Sequence, residues 1–152
     1  TVSGISPRQR LDLAVNALTF SACTQGSIVV DGGEQTRPHI HIKDMLRVYE
    51  FFLDNCEQGI FNAGFENLTM NELAIKIAAM TGASIEKSQT VDPRSYRLNS
   101  DRLLKLGFSP KYTVEDAIEE LRSSIQNGEI HAEDSCFNVK WMKSRLYNDS
   151  IV

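Results

Sequence analysis

Two segments of this sequence carry side chains that suit an anion. In the first, Arg94 and Tyr96 lie in the turn Asp-Pro-Arg-Ser-Tyr, just before a short predicted helix. In the second, Arg37 heads the strand-like run Arg-Pro-His-Ile-His-Ile. A guanidinium held in a turn suits a phosphate because its planar fork can donate two parallel hydrogen bonds. The two segments together predict an anion-binding site. The alternative for Arg37 is a solvated strand edge, and the alternative for Arg94 is a surface loop that ion pairs hold in place.

Three further polar side chains stand among apolar neighbours. A spacing of two places His39 and His41 on the same strand face as Arg37, as a basic stripe that could meet a phosphate. The histidines could also ligate a metal, but no third ligand is visible nearby, so we expect a core hydrogen bond for one and surface exposure for the other. Asn16 lies on the apolar stripe of the first predicted helix, where a buried amide needs a ligand or a backbone carbonyl as its partner.

The motifs of common catalytic sites are missing from the sequence. It has no Gly-x-Gly-x-x-Gly loop, no phosphate-binding P-loop and no Gly-x-Ser-x-Gly elbow, and no tyrosine is followed four residues later by lysine. The sequence therefore predicts a binding role for this chain and no catalytic residues.

Composition narrows the class of protein. The 152 residues are 41% hydrophobic, enough for one core, and no run of eighteen apolar residues predicts a membrane span. A net charge of -4 gives no support to a nucleic-acid or membrane-surface partner. Three widely spaced cysteines fit reduced thiols, so we expect a cytoplasmic protein. Since residues 1–4 read as a strand end and turn without an initiator methionine, we also expect a fragment of a longer protein.

Periodicity predicts one mixed α/β domain of helices and short strands. Asp44 is expected to cap the second helix, which is polar on only a narrow side and is expected to be buried on two fronts. Thr69 and Glu72 form a capping-box pattern at the start of the third helix. The predicted helices cover about 7–25, 44–55, 69–82, 99–107 and 113–128, with a short docking helix around Trp141, and the predicted strands cover 27–31, 39–42, 59–63 and 83–87.

The order and spacing of these segments resemble the C-terminal half of extended short-chain dehydrogenases/reductases, the NAD-dependent nucleotide-sugar epimerases and dehydratases. Ser3 stands where that family usually has tyrosine in a Val-Tyr-Gly-Pro segment. The resemblance runs from Thr1 to about Gly128. The segments that carry it are 1–8, 10–16, 28–44 (similar to Gly-x-x-x-Arg-x-x-Ile-His-Val-x-Asp), 59–64 (similar to Tyr-Asn-x-Gly), 92–96 and 106–115.

The resemblance implies a substrate-binding domain over residues 1–128, followed by a tail over 129–152. It implies that Arg37 holds the diphosphate of a nucleotide sugar, and that Arg94 grips the same diphosphate or the ribose from the opposite wall with Tyr96 beside it. Asn16 would reach the phosphate or the sugar from the first helix.

The resemblance also implies that the Rossmann half of the protein is absent from this chain. NAD(P) would be bound by the full-length parent, an epimerase, dehydratase or reductase, and none is expected to bind this chain. Helix 44–55 would pack against the missing N-terminal Rossmann domain, or would form a homodimer when the chain is alone. The alternative is a stand-alone interaction or scaffold protein derived from the fold, or the corresponding part of a nucleotide-sugar reductase.

Overall fold

Short strands and helices alternate along the chain in the computed structural model, which describes residues 1–88, 90 and 92–148. Val91, in the arginine-bearing segment, and residues 149–152 of the predicted tail lie outside the described residues. The predicted α/β class is confirmed. The strands are β1 (Val2–Ser3), β2 (Ser27–Asp31), β3 (Thr36–His41), β4 (Glu66–Thr69) and β5 (Ser84–Ser88). The helices are α1 (Ala14–Gln25), α2 (Ile42–Asp54), α3 (Met70–Thr81), α4 (Asp101–Lys105), α5 (Val114–Gln126) and α6 (Asn138–Asn148), with a 3-10 turn over Asp134–Cys136.

The strands form two small sheets. In the first, β3 lies between β1, to which it is parallel, and β4, to which it is antiparallel. The second pairs β2 with β5 in parallel. Ile28 and Val30 of β2 are buried while Val29 and Asp31 are exposed, which is the alternation expected of a strand with one solvated face.

Two hydrophobic clusters hold these elements together. The larger one joins α1, α3, α5 and β2, and the tail residues Ile130 and Cys136 belong to it as well. The smaller one is largely aromatic: Phe108 packs edge-to-face with Phe51 of α2 and stacks on Phe65. None of the described helices is both long and apolar enough to cross a bilayer.

Several helix ends are set by local chemistry, as predicted. The Thr69 hydroxyl accepts the Glu72 N–H at 3.1 Å while the Glu72 carboxylate accepts the Thr69 N–H at 2.8 Å, so the capping box of α3 is confirmed. Gly26 ends α1 in the left-handed region at φ 71°, where glycine has no Cβ penalty. Interactions of this kind join residues within four positions of each other.

The start of α1 was predicted too early. The helix begins at Ala14, and several main-chain groups between residues 4 and 11 are already bound elsewhere. The Gln9 side chain donates to the Gly4 carbonyl at 3.2 Å and accepts the Ser6 N–H at 3.1 Å. The Leu11 N–H donates to the carbonyl of Cys136 at 3.0 Å. Residues 7–13 therefore form an ordered loop.

The predicted cap of the second helix was also wrong. β3 ends one residue earlier and α2 begins two residues earlier than expected, and Nδ1 of His41 accepts the Lys43 N–H at 3.1 Å as the cap. Asp44 lies inside the first turn, fully buried, and accepts the N–H groups of Lys111 and Tyr112. Its carboxylate thus ties α2 to the segment that precedes α5.

The strand predicted over residues 59–63 is absent, and β4 follows it instead. The Arg102 guanidinium donates to the carbonyl of Ile60 at 3.0 Å and lies over the Phe61 ring at 4.2 Å from its centre. With this carbonyl bound by a side chain, the segment packs as a loop against Arg102. The segment that pairs with β3 is instead Glu66–Thr69.

Candidate functional site

The loop over residues 92–96 runs beside the first residue of β3. The Tyr96 N–H donates to the Thr36 carbonyl at 3.1 Å, and the Ser95 hydroxyl accepts the Thr36 N–H at 3.0 Å. These two hydrogen bonds extend the edge of β3 into the loop. They bring Arg94 and Tyr96 next to Arg37, which is far from them in sequence.

Both arginines converge on one carboxylate. Nη2 of Arg37 lies 2.8 Å from Oδ2 of Asp92, and Nη2 of Arg94 lies 2.9 Å from the same oxygen. Nε and the main-chain N–H of Arg94 donate to Oδ1 at 2.9 and 3.1 Å. The Arg37 guanidinium also lies 5.3 Å from the centre of the Tyr96 ring, within the range of a cation–π contact.

The charges in this group are unevenly exposed. The Arg37 side chain is 11% exposed, whereas the Arg94 side chain is 78% exposed. The Arg94 guanidinium beside Asp92 holds the pKa of that carboxyl well below its usual range, and the carboxylate in turn raises the pKa of Arg94. The two arginines and the aspartate therefore carry a net charge of about +1 at neutral pH.

A cleft of about 390 Å³ opens beside the arginines. Its opposite wall is the start of α1, where Leu13, Ala14 and Ala17 face the space. The first N–H groups of a helix have no partner within the helix, and the residue at the cap position, Leu13, makes no side-chain capping bond. The start of a helix favours negative charge, while the carboxylates of Asp12 and Asp31 also line the cleft, so its positive charge is concentrated on the arginine wall.

A tight turn shapes the rim of the cleft. Gly33 adopts φ 119° and donates its N–H to the Gln35 side chain at 2.6 Å, while its carbonyl accepts the Asn71 N–H at 2.9 Å. The Gln35 side chain then donates to the Asp31 carbonyl at 2.5 Å. This network fixes Gln35 and Asp31 where they line the cleft.

Solved structures share this architecture. An NAD-dependent NDP-hexosamine 5,6-dehydratase, TunA, of tunicamycin biosynthesis aligns with a TM-score of 0.70 at 21% identity, over 84% of this chain and 44% of that chain. A UDP-glucuronic acid 4-epimerase from Bacillus cereus, in complex with UDP-glucuronic acid and NAD, aligns at 0.69 and 24%, over 84% and 43%. The chain has the fold of the C-terminal part of NAD-dependent nucleotide-sugar epimerases and dehydratases.

The chain spans less than half the length of the proteins whose epimerase/dehydratase fold it shares. A UDP-N-acetylglucosamine 4-epimerase from Bacillus cereus, with a TM-score of 0.65 at 20% identity, is likewise covered over only 45% of its length. The sequence matches no family model.

Three of the four predicted site residues come together in this epimerase/dehydratase fold, and Asn16 lies apart from them. Arg37, Arg94 and Tyr96 line the cleft. The buried Asn16 side chain accepts the Gly4 N–H at 3.2 Å and donates to the Arg10 carbonyl at 2.9 Å, and it lines a separate pocket of about 370 Å³. The binding roles of all four residues stay predictions.

The prediction that β3 carries an exposed basic stripe is wrong. The alternative prediction of a solvated strand edge at Arg37 is wrong as well. Arg37, His39 and His41 are all buried, because β3 is covered on both faces. Burial, reinforced by the charges of the Thr1 amino group and Arg37, lowers the pKa of His39 to about 4. The histidine is therefore neutral at physiological pH, and neither histidine is on the surface. The described residues hold no group of three side chains that could ligate a metal.

The residue that sequence reasoning missed is Asp92. Asp92 matters because it accepts a hydrogen bond from Arg37, 55 positions earlier in the chain. No local sequence pattern reveals a contact of this length. The one local signal is the Asp-Pro-Arg order, because an aspartate often accepts the N–H two residues further on. The ion-paired loop expected as the alternative at Arg94 is therefore present, and this loop also lines a cleft, whereas the anion-binding role of Arg94 stays a prediction.

Proposed function

We propose that this chain is the substrate-binding part of an NAD-dependent nucleotide-sugar epimerase or dehydratase and holds the diphosphate of the nucleotide sugar. The observation that carries the proposal is the convergence of Arg37 and Arg94 at one cleft, opposite the start of α1. A diphosphate carries about two negative charges, which two guanidiniums can share. UDP-glucuronic acid, found with the B. cereus epimerase, represents this ligand class.

The residues have distinct parts in this proposal. Arg37, held by its buried position and by Tyr96, supplies a fixed charge on the β3 wall. Arg94 reaches the ligand from the solvent side of the cleft. Asn16, in the neighbouring pocket beyond Leu13, is placed to meet the sugar only if the ligand extends past the start of α1.

The chemistry of the reaction belongs to the missing half in this proposal. NAD(P) and the residues that move hydride and proton would come from an N-terminal Rossmann domain, because the sequence holds neither a glycine loop nor a Tyr-x-x-x-Lys pair. Residues 1–128 would form the substrate-binding domain that completes the enzyme together with the Rossmann domain. Residues 129–152 would form the tail. The exposed side of α2, with Leu46, Tyr49 and Leu53, would be the surface that packs against the Rossmann half.

A second candidate is favoured by the same exposed helix face. A scaffold or interaction protein derived from the fold would use α2 to bind a partner and would leave the arginine cleft as an internal ion-pair cluster. Whether the full-length protein is an epimerase, a dehydratase or a reductase depends on the other half. The coding sequence upstream of Thr1 separates these candidates, because a glycine-rich cofactor motif there is required for any of the enzymes.

Isothermal titration with uridine, guanosine, cytidine and thymidine diphosphate sugars tests the binding role. We expect at least weak binding of one of them by the chain, and loss of that binding in the Arg37→Ala and Arg94→Ala double variant. Arg122→Ala is the matched control, because Arg122 pairs with Glu119 on α5 and lines none of the arginine cleft. Binding that survives the double variant would contradict the proposal.

A further inference from the structure

The two arginines of the cleft are held in different ways. Arg37 is buried, donates to the Thr36 carbonyl at 3.3 Å and lies against the Tyr96 ring, in addition to its bond with Asp92. Among the described residues, the exposed Arg94 side chain donates only to Asp92. Removal of the carboxylate would leave Arg37 in place and would release Arg94.

Asp92 already fills the position that an anion needs. Its two oxygens accept two parallel N–H groups of Arg94, and one of them also accepts from Arg37. This is the bidentate geometry in which guanidiniums bind phosphate as well as carboxylate. With the pKa of Asp92 well below its usual range, the carboxylate is charged at every physiological pH and competes with any incoming anion.

We infer that Asp92 is an internal counter-ion that occupies the diphosphate site until ligand arrives, and that Arg94 moves from Asp92 to the ligand while Arg37 stays fixed. The inference rests on the proposed function and adds a residue that determines anion affinity. The exchange is feasible because the Arg94 side chain of this pair is solvent-exposed, although Asp92 is only 22% exposed, and ion pairs with an exposed partner are weak. A phosphoryl group that meets Arg94 and Arg37 together replaces the carboxylate at little net loss.

The opposite role for Asp92 makes the opposite prediction. If Asp92 only positioned the arginines for the ligand, its removal would disorder Arg94 and weaken anion binding. If it is a competing counter-ion, its removal strengthens binding. The sign of the change in affinity therefore separates the two roles, and no loss of fold stability could imitate a gain in affinity.

The experiment is titration of the chain with inorganic pyrophosphate, which contains the diphosphate without ribose, base or sugar. We expect Asp92→Asn to bind pyrophosphate about fivefold more tightly than the wild type, the size of an exposed ion pair removed from competition. Asp31→Asn is the matched control. Asp31 lines the same cleft and accepts a hydrogen bond from Ser88, so its removal measures the general effect of one negative charge without releasing an arginine.

Each outcome decides a different point. A gain in pyrophosphate affinity that is clearly larger in Asp92→Asn than in Asp31→Asn supports the counter-ion role. The same holds if only Asp92→Asn binds pyrophosphate. Equal gains in both variants, or weaker binding by Asp92→Asn, overturn the counter-ion role and leave the diphosphate site standing. Absence of pyrophosphate binding by the wild type and by Asp92→Asn overturns the proposed function together with this inference.

A measurement on the wild-type chain avoids any dependence on the folding of the variant. In nuclear magnetic resonance spectra with labelled arginine, the Nε–H signal of Arg94 should move on addition of pyrophosphate, because this group leaves Oδ1 of Asp92. The Nε–H signal of Arg122, paired with Glu119 on α5, should stay in place. An unmoved Arg94 signal at a pyrophosphate concentration that saturates binding would overturn the exchange.

Discussion

The carboxylate of Asp44 accepts the main-chain N–H of Lys111, 67 residues further along the chain, at 2.9 and 3.1 Å. The same carboxylate accepts the Tyr112 N–H at 2.9 Å and a hydrogen bond from Arg47 at 2.5 Å. It thereby joins the first turn of α2 to the segment that leads into α5. Buried main-chain donors without an acceptor are costly, so this one side chain contributes to the arrangement of both helices.

Asp44→Ala should lower the free energy of unfolding by about 3 kcal/mol, because it leaves two main-chain donors unsatisfied and Arg47 without its partner. Urea denaturation followed by circular dichroism measures the change. Asp54→Ala, the same substitution at an exposed position at the end of α2, should change the free energy by less than about 0.5 kcal/mol. Equal effects of the two substitutions would show that the Asp44 bonds contribute little.

His39 should make the fold sensitive to acid. Its pKa is about 4 in the folded chain and about 6.5 in the unfolded chain, so the unfolded state takes up the proton first as the pH falls. The stabilisation is complete above pH 6.5 and is lost as the pH falls through 4, by at most about 3 kcal/mol. Neither ring nitrogen has a hydrogen-bond partner among the described residues, so His39→Leu is a suitable variant.

Denaturation of the wild type and of His39→Leu at several pH values between 7 and 4 measures this contribution. The variant should lose less stability over that interval, whereas His131→Leu, at an exposed histidine, should follow the wild type. Parallel curves for the wild type and His39→Leu would mean that other groups cause the acid sensitivity.

Gly33→Ala should destabilise the rim of the cleft. A Cβ at Gly33 would overlap Oδ1 of Asn71, at a backbone φ of 119° that side chains rarely adopt. We expect a loss of about 3 kcal/mol in the free energy of unfolding, from the strained backbone and the contact together. Gly26→Ala also has a positive φ, of 71°, but in the left-handed helical region and with open space around the new Cβ, and it should cost about 1 kcal/mol. Equal losses in thermal or urea unfolding would remove Asn71 from the explanation.

The exposed side of α2 should cause self-association of the chain when it is alone. Leu53 is 85% exposed, and Leu46 and Tyr49 lie on the same side of the helix. Sedimentation velocity should show a mass that rises with concentration, and Leu53→Glu should weaken the association about tenfold because a buried leucine is lost from the contact. Ile75→Glu, an exposed isoleucine on α3, should leave it unchanged. A wild-type chain that stays monomeric at every concentration would contradict the prediction.

The sequence by itself determined the features that depend on neighbours within about four residues. The Thr69–Glu72 capping box, the end of α1 at Gly26 and the alternation of β2 are readable in this way, because the groups that interact are brought together by the local backbone geometry alone. The order of such segments was also enough to indicate the epimerase/dehydratase fold.

Only the tertiary structure decided which polar side chains are buried and what they bind. The pairing of Arg37 with Asp92 and the placement of Asp44 each depend on segments 55 or more residues apart in sequence. Burial and charge pairing follow from the packing of the whole chain. For this reason the arginines of the cleft could be predicted from the sequence, whereas the carboxylate that holds them together could not.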